Sequence, residues 1–354
     1  MKTPASKVDF RIENQTSRCG KRPSQILMTL ASMKEALSQK DTYYHTVARN
    51  LFLNQEFTKI LDSFSQEHIR LIPLKGIALI QKIYSDIGSR YIGDIDLLVR
   101  PGDVLSSAKL LNELGYFNQS CYRFNPEKPY SDYLNSMPFS KPAKIPSFVH
   151  LHWHLLNATI PLSMYKIPME EIWQSAEPER YQDKQMLMLA PHHLVVYLSV
   201  HAFKHSFNKI SLFHDIEKAI EFYRDRLDWK AITKVAAEWG ATLPLYYSLY
   251  LTSKILKADI PEHTLSIIRP KKISKAGYRA ASSISGDQLG THKLVYPLYL
   301  DMLEGSLNRT KFIFLTLFPP PEQLRQIYSV NSKYLVFGYY LKRLGNGLVR
   351  LLQE

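Results

Sequence analysis

Between Ile92 and Val99 an apolar run, IGDIDLLV, carries two carboxylates, Asp94 and Asp96, one residue apart. Its aliphatic content predicts a strand over YIGDIDLLV. Residues i and i+2 of a strand share a face, so the two acids point together while Ile95, Leu97 and Val99 take the other side. Adjacent carboxylates raise each other's pKa unless a cation neutralises them. A hard divalent ion, Mg2+ or Mn2+, is the usual solution, and such an ion also bridges phosphate oxygens. The plainer alternative is a strand end where both acids reach solvent or pair with Arg90 or Arg100.

The surrounding patterns frame that strand. Upstream, Ile69, Leu71, Ile72 and Leu74 form a short strand-like run, followed by Lys75-Gly76 and a helical IALIQKIYSDIG. Downstream, GDVLSSAKLLNELGY reads as a helix with Asp103 as N-cap and Gly115 as its stop. YFNQSCYRF and SFVHLHWHLL read as strands, and residues 125–147, rich in Pro, Ser, Asn and Lys, as a loop. From about Ile167 onward the 3.6-residue period dominates. The fold class is therefore α+β: a small mixed-sheet domain with a helical lead-in and a helical C-terminal domain. The expected divisions are a disordered basic tail (1–25), N-terminal helices (26–66), the α/β core (67–165) and the helical domain (166–354).

Hydrophobic residues make up 45% of the 354, enough for a sizeable core, which excludes wholesale disorder. No apolar run approaches the roughly 20 residues of a spanning helix, and the N-terminus lacks a signal-like stretch. Two cysteines, Cys19 and Cys121, make no disulfide framework, so the expected location is cytoplasmic. The formal net charge of +13 favours polyanionic partners such as nucleotides, RNA or anionic lipid. It is spread without an arginine-rich block, which leaves nucleic-acid binding open and unproven.

Several residues near the acidic pair have chemistry to offer. Backbone amides at a helix start bind phosphate, Gly76 permits close approach, and Lys75 adds a point charge. Arg90 is placed to contact a triphosphate or to pair with Asp94. His150, His152 and His154 share a strand face, opposite Val149, Leu151, Trp153 and Leu155. Paired histidines on a strand can hold Zn2+, but same-face neighbours lie roughly 6.5–7 Å apart, so a polar face lining a cleft is the blander reading. His152, His201, Lys204 and Asp215 are further candidates for lining that cleft. Asp215 alone reads equally as a helix-dipole partner. His192 and His193, after Pro191, read as surface or capping residues.

Taken together, LKGIALIQKIY, RYIGDIDLLV, the helix ending in LGY, VHLHWHL, LAPHHLVVYLSVHAFKH with LFHDIEKAI, and LFPPPEQLRQIY resemble one family. It is the poorly characterised bacterial nucleotidyltransferase-like family within the DNA polymerase β-type superfamily. The resemblance implies a mixed sheet with two metal-binding aspartates on one strand, matched by Asp94 and Asp96, and a third acid on a neighbouring strand. It implies a nucleoside triphosphate substrate, ATP among the possibilities, with Mg2+ or Mn2+ as cofactor. A nucleotidyl group would pass to an acceptor hydroxyl on a small molecule, a natural-product intermediate, tRNA or a protein. Lys75-Gly76 matches the phosphate-binding turn, where the superfamily more often has Gly-Ser. His150 stands where the third acid is expected, with His152-Trp153 matching the family's His-Trp. Imidazole binds Mg2+ poorly but can act as ligand for softer ions or as a base. The expected catalytic set is Asp94, Asp96 and His150, with Lys75, Gly76 and Arg90 on the phosphates. The alternatives are transfer of a nucleotide-activated group such as a sugar, or a degenerate nucleotide-binding module.

Overall fold

The structure, a computed structural model, describes residues 23–119, 124–131, 134–157, 164–271, 295–303, 306–321, 324, 337–342 and 345. The expected tail up to residue 22, Cys19, Cys121 and the 325–328 end of LFPPPEQLRQIY lie outside the described residues. The described residues before Thr46 are helical and belong to a separate compact unit; the rest of the fold belongs to the unit that starts at Thr46.

Helix α1 (Pro23–Gln66) leads into β1 (Leu71–Leu74), α2 (Lys75–Lys82) and β2 (Ile95–Val99). Then follow α3 (Val104–Glu113), β3 (Phe117–Asn118), β4 (Ser136–Lys141) and β5 (Ser147–His152). These strands form one mixed sheet, ordered β1-β2-β5-β4-β3, in which only β2 and β5 run parallel. Its two faces bury different partners. Ile95, Leu97, Val99, Val149 and Leu151 pack with Leu53, Phe57, Ile60 and Phe64 of α1 and with Val104 and Leu111 of α3. Ile72, Leu74 and Leu98 face the helical half. Asp96 alternates with Leu97 in β2 and so lies on that second face.

The helical half comprises α4 (Met169–Ser175), α5 (Pro191–Lys204), α6 (Ile210–Phe222), α7 (Trp229–Glu238), α8 (Thr242–Leu256) and α9 (Glu262–Ile268). Two further helices span Val295–Met302 and Ser306–Leu317. No helix among the described residues is long and apolar enough to cross a membrane.

Two expected elements need correction. The loop expected over 125–147 contains β4. Pro138 sits in its middle, lacks a ladder donor and masks the strand signal. Met137 and Phe139 nonetheless bury opposite Leu151 and Val149, and that packing fixes the strand. Helix expected throughout from Ile167 is interrupted by a hairpin, β6 (Glu177–Tyr181) and β7 (Lys184–Met188), turned at a left-handed Gln182 with φ 52°. Met186 and Met188 are its only buried side chains, too few to give a readable period.

His193 is not a surface residue. It is 1% exposed, stacks on Trp239 with centroids 5.5 Å apart, and pairs Nδ1 with Ser175 Oγ at 3.0 Å. Burial, with His192 beside it, lowers its pKa to about 4, against 6.5 for free histidine. Between those values the unfolded chain binds the extra proton, so stability falls as the pH drops from 6.5 towards 4 and is constant above. Urea unfolding of His193→Gln is expected to show a pH slope near pH 5 shallower by up to about 1.4 kcal/mol per unit. An unchanged slope would mean that His193 is protonated in the fold.

Candidate active site

The site is built where β1 meets α2. Leu74 pairs with Asp96 of β2, and the chain then turns sharply into α2 through Lys75. Lys75 has a left-handed backbone, φ 50°, a region that costs a residue with a Cβ roughly 1–2 kcal/mol. The turn places Lys75 Nζ 2.8 Å from Asp96 Oδ1. Asp96 is 2% exposed. Burial opposes the charge of both groups, yet each holds the other charged: Lys75 is raised and Asp96 lies well below the usual carboxylate range, helped by His150 and His152.

Gly76 is needed for a close approach, but of a side chain. A Cβ there would sit 2.6 Å from Arg90 Nη1. Arg90 in turn forks onto Asp215 of α6, with Nε–Oδ1 and Nη2–Oδ2 both 2.7 Å. Tyr84 donates to the same carboxylate at 2.8 Å. Burial disfavours the guanidinium's charge, but Asp215 overrides it and raises Arg90's pKa. Arg90 therefore spends its fork on Asp215, neither on Asp94 nor on open solvent. Asp215 is 2% exposed, and a charge buried to that degree is strongly unfavourable without a partner.

The acidic segment is held from behind. Buried Asn50 of α1 donates to the carbonyls of Ile87 (2.6 Å) and Arg90 (2.7 Å) and accepts from Ile92 N at 3.1 Å. Arg49 donates to Gly93 O at 2.8 Å. Strand β2 starts at Ile95, so Asp94 precedes it rather than lying within it. The two acids still converge, because His150 Nδ1 is 3.6 Å from Asp94 Oδ2 and 3.6 Å from Asp96 Oδ1. The register explains this: His150 of β5 lies directly opposite Asp96. Burial and the charge of Asp96 raise the Asp94 carboxyl, whose side chain is 41% exposed.

His152 lies deeper, with Nε2 2.9 Å from Asp96 Oδ1 and an Nδ1 that finds no hydrogen-bond partner among the described residues. Burial lowers its pKa to about 4, so it is neutral near pH 7 and donates through Nε2–H. His154 follows the strand's end; its Nδ1 accepts from Leu156 N at 3.0 Å, away from the acids. The three same-face histidines therefore do not act together.

Helix α5 brings the helical half to the same place. Tyr197, His201 and Lys204, at i, i+4 and i+7, share its inward stripe. Burial and Lys75 lower His201 well below its ordinary value and Lys204 to about 8. Lys204 Nζ donates to Asn157 O at 2.6 Å. Sequence reasoning missed Tyr197, Tyr84 and Asn50; the α5 spacing was the one signal that would have found Tyr197.

The donor atoms on offer are mixed. Ligand atoms of Asp96, His150 and His152 all lie within 4.8 Å of one another. Two imidazoles and one carboxylate, with Asp94 alongside, fit a single divalent ion that accepts nitrogen. They do not fit a pair of Mg2+ ions, each of which needs oxygen ligands.

A model of a family described as uncharacterised nucleotidyltransferase matches residues 17–257. No curated protein matches the sequence. Among solved structures, the lincosamide antibiotic adenylyltransferase LnuA with lincomycin bound aligns over 48% of this chain and 96% of its own, at 13% identity and a TM-score of 0.33. A likeness that loose carries no argument about this chain.

If Arg90 serves to neutralise Asp215, Arg90→Met should lower stability by about 3–5 kcal/mol in urea unfolding. Arg90→Met combined with Asp215→Leu should recover most of that loss. A change within about 0.5 kcal/mol for the single variant would show that the pair bears no structural charge.

Proposed function

The chain belongs to the uncharacterised nucleotidyltransferase family, and from that premise we propose that Asp94, Asp96 and His150 form its transfer centre. The reaction moves a nucleotidyl group from a nucleoside triphosphate to an acceptor hydroxyl. One observation carries the reading: the imidazole of His150 sits 3.6 Å from both carboxylates, on the strand beside them, and the family resemblance expects a third acid at that position. Family membership supports nucleotidyl transfer in general; the residue roles are inferred from the geometry.

The acceptor oxygen forms a bond to the α-phosphorus while the bond to the β-phosphate oxygen breaks and pyrophosphate leaves. Asp94 takes the hydroxyl proton. It is the more exposed carboxylate, and its raised pKa makes it the better proton acceptor. Asp96, His150 and His152 would hold a divalent cation, which when bound offsets charge on the phosphates. Lys75 keeps Asp96 ionised and sets a positive charge beside the entering triphosphate. Lys204 meets a carbonyl, not a carboxylate, so its charge is available to phosphate. Arg90 and Gly76 shape the turn that carries Lys75 and do not reach the phosphates themselves. The acceptor is a hydroxyl-bearing small molecule, natural-product intermediate, tRNA or protein.

Incubation with α-labelled nucleoside triphosphates, a divalent cation and cell extract as the source of acceptors is expected to give label transfer with pyrophosphate release. Asp94→Asn should lower turnover by roughly 10²–10⁴-fold. Nucleotide binding with no transfer to any acceptor, and no pyrophosphate, would overturn the proposal.

A further inference from the structure

We infer that the cation of this centre is a nitrogen-accepting first-row ion of the Zn2+ or Co2+ type, held by Asp96, His150 and His152, and not Mg2+. The inference rests on the reading of this cluster as the transfer centre, and it adds the chemical class of the cofactor.

Three observations carry it. The first is the donor set: two imidazoles and one carboxylate, with ligand atoms mutually within 4.8 Å. Bonds of about 2.0–2.2 Å to a tetrahedral ion place neighbouring ligand atoms roughly 3.5 Å apart. His150 Nδ1 lies 3.6 Å from Asp96 Oδ1, so that edge needs almost no rearrangement. Imidazole suits Zn2+ and Co2+, whereas Mg2+ keeps to carboxylate, phosphate and water oxygens.

The second observation is charge. Asp94 and Asp96 carry two negative charges and Lys75 one positive charge, and both imidazoles are ligands without charge. One net negative charge remains, where three carboxylates without the lysine would carry three. One divalent ion reverses that balance and leaves the site positive towards a triphosphate. A second ion would leave it with an excess of positive charge that only the substrate could offset.

The third is the placement of the His152 ring. Its Nε2 points at Asp96 Oδ1 from 2.9 Å, so the ring nitrogen nearest the acids is the one a metal shared with Asp96 and His150 would take. Lys75 remains on Asp96 and fixes the carboxylate's orientation, as outer partners of metal ligands do.

The test uses the full chain, stripped of metal by a chelator and without nucleotide. Binding of Mg2+, Mn2+, Co2+ and Zn2+ is measured by calorimetry, and Co2+ also by the visible absorption of its ligand field. Zn2+ and Co2+ are expected to bind at least about tenfold more tightly than Mg2+, with Mn2+ between them. His150→Ala, at a half-exposed position where folding should survive, is expected to weaken Zn2+ and Co2+ by at least about tenfold, and His150→Glu to strengthen Mg2+. Equal or tighter binding of Mg2+, or Zn2+ binding that His150→Glu and His150→Ala leave unchanged, overturns the inference. Mg2+-driven label transfer with weak Zn2+ binding would sink this inference and keep the proposed reaction. A Co2+ spectrum that His150→Ala abolishes, in a protein inactive with every metal, would sink the reaction and keep the site.

Discussion

A carboxylate almost fully removed from water has to be neutralised, and the architecture around Asp96 follows from how that is done. The ammonium comes from Lys75, the residue directly after Leu74, which pairs with Asp96 across β1 and β2. Reaching it requires a left-handed backbone at a residue with a long side chain. Strain of this kind persists only where the surroundings over-determine it. Here the surroundings are the Leu74–Asp96 pairing on one side and the first turn of α2 on the other.

The same logic extends outward. The sheet's second face would bury three kinds of charge against the helical half, and each has a specific partner: Lys75 with Asp96, Arg90 with Asp215, and Lys204 with a carbonyl. Asp94 is the exception. It is half exposed, repelled by Asp96 and flanked by the ring of His150 at 3.6 Å. That condition, at the edge of a buried, charge-balanced cluster, is why the proposed reaction assigns the proton transfer to Asp94.

Local rules made some of this legible. The period-2 alternation around Asp94 and Asp96 placed Ile95, Leu97 and Val99 on one face, and they share one apolar cluster in the structure. The family resemblance, not a local rule, pointed to His150, which the β2–β5 register sets opposite Asp96. What stayed hidden depended on long-range partners. Arg90 and Asp215 are 125 residues apart, and nothing local in either segment names the other. Gly76 read as an opening for a ligand because its real neighbour, Arg90, is brought in by that distant pair. Strand β4 was masked by Pro138, and β6–β7 by a polar composition that buries only Met186 and Met188. Periodicity reports burial of one face, so elements held mainly by their neighbours escape it.

The Arg90–Asp215 fork also limits how the parts of this protein could be exchanged. A sheet that brings its own guanidinium to α6 is not a self-sufficient cassette. Grafted onto another helical scaffold, it would present an unmatched cation unless the new scaffold offered an acid at the same spot. The helical half is thus free to diverge elsewhere, but the aspartate at position 215 has to travel with the arginine, as a two-part inheritance.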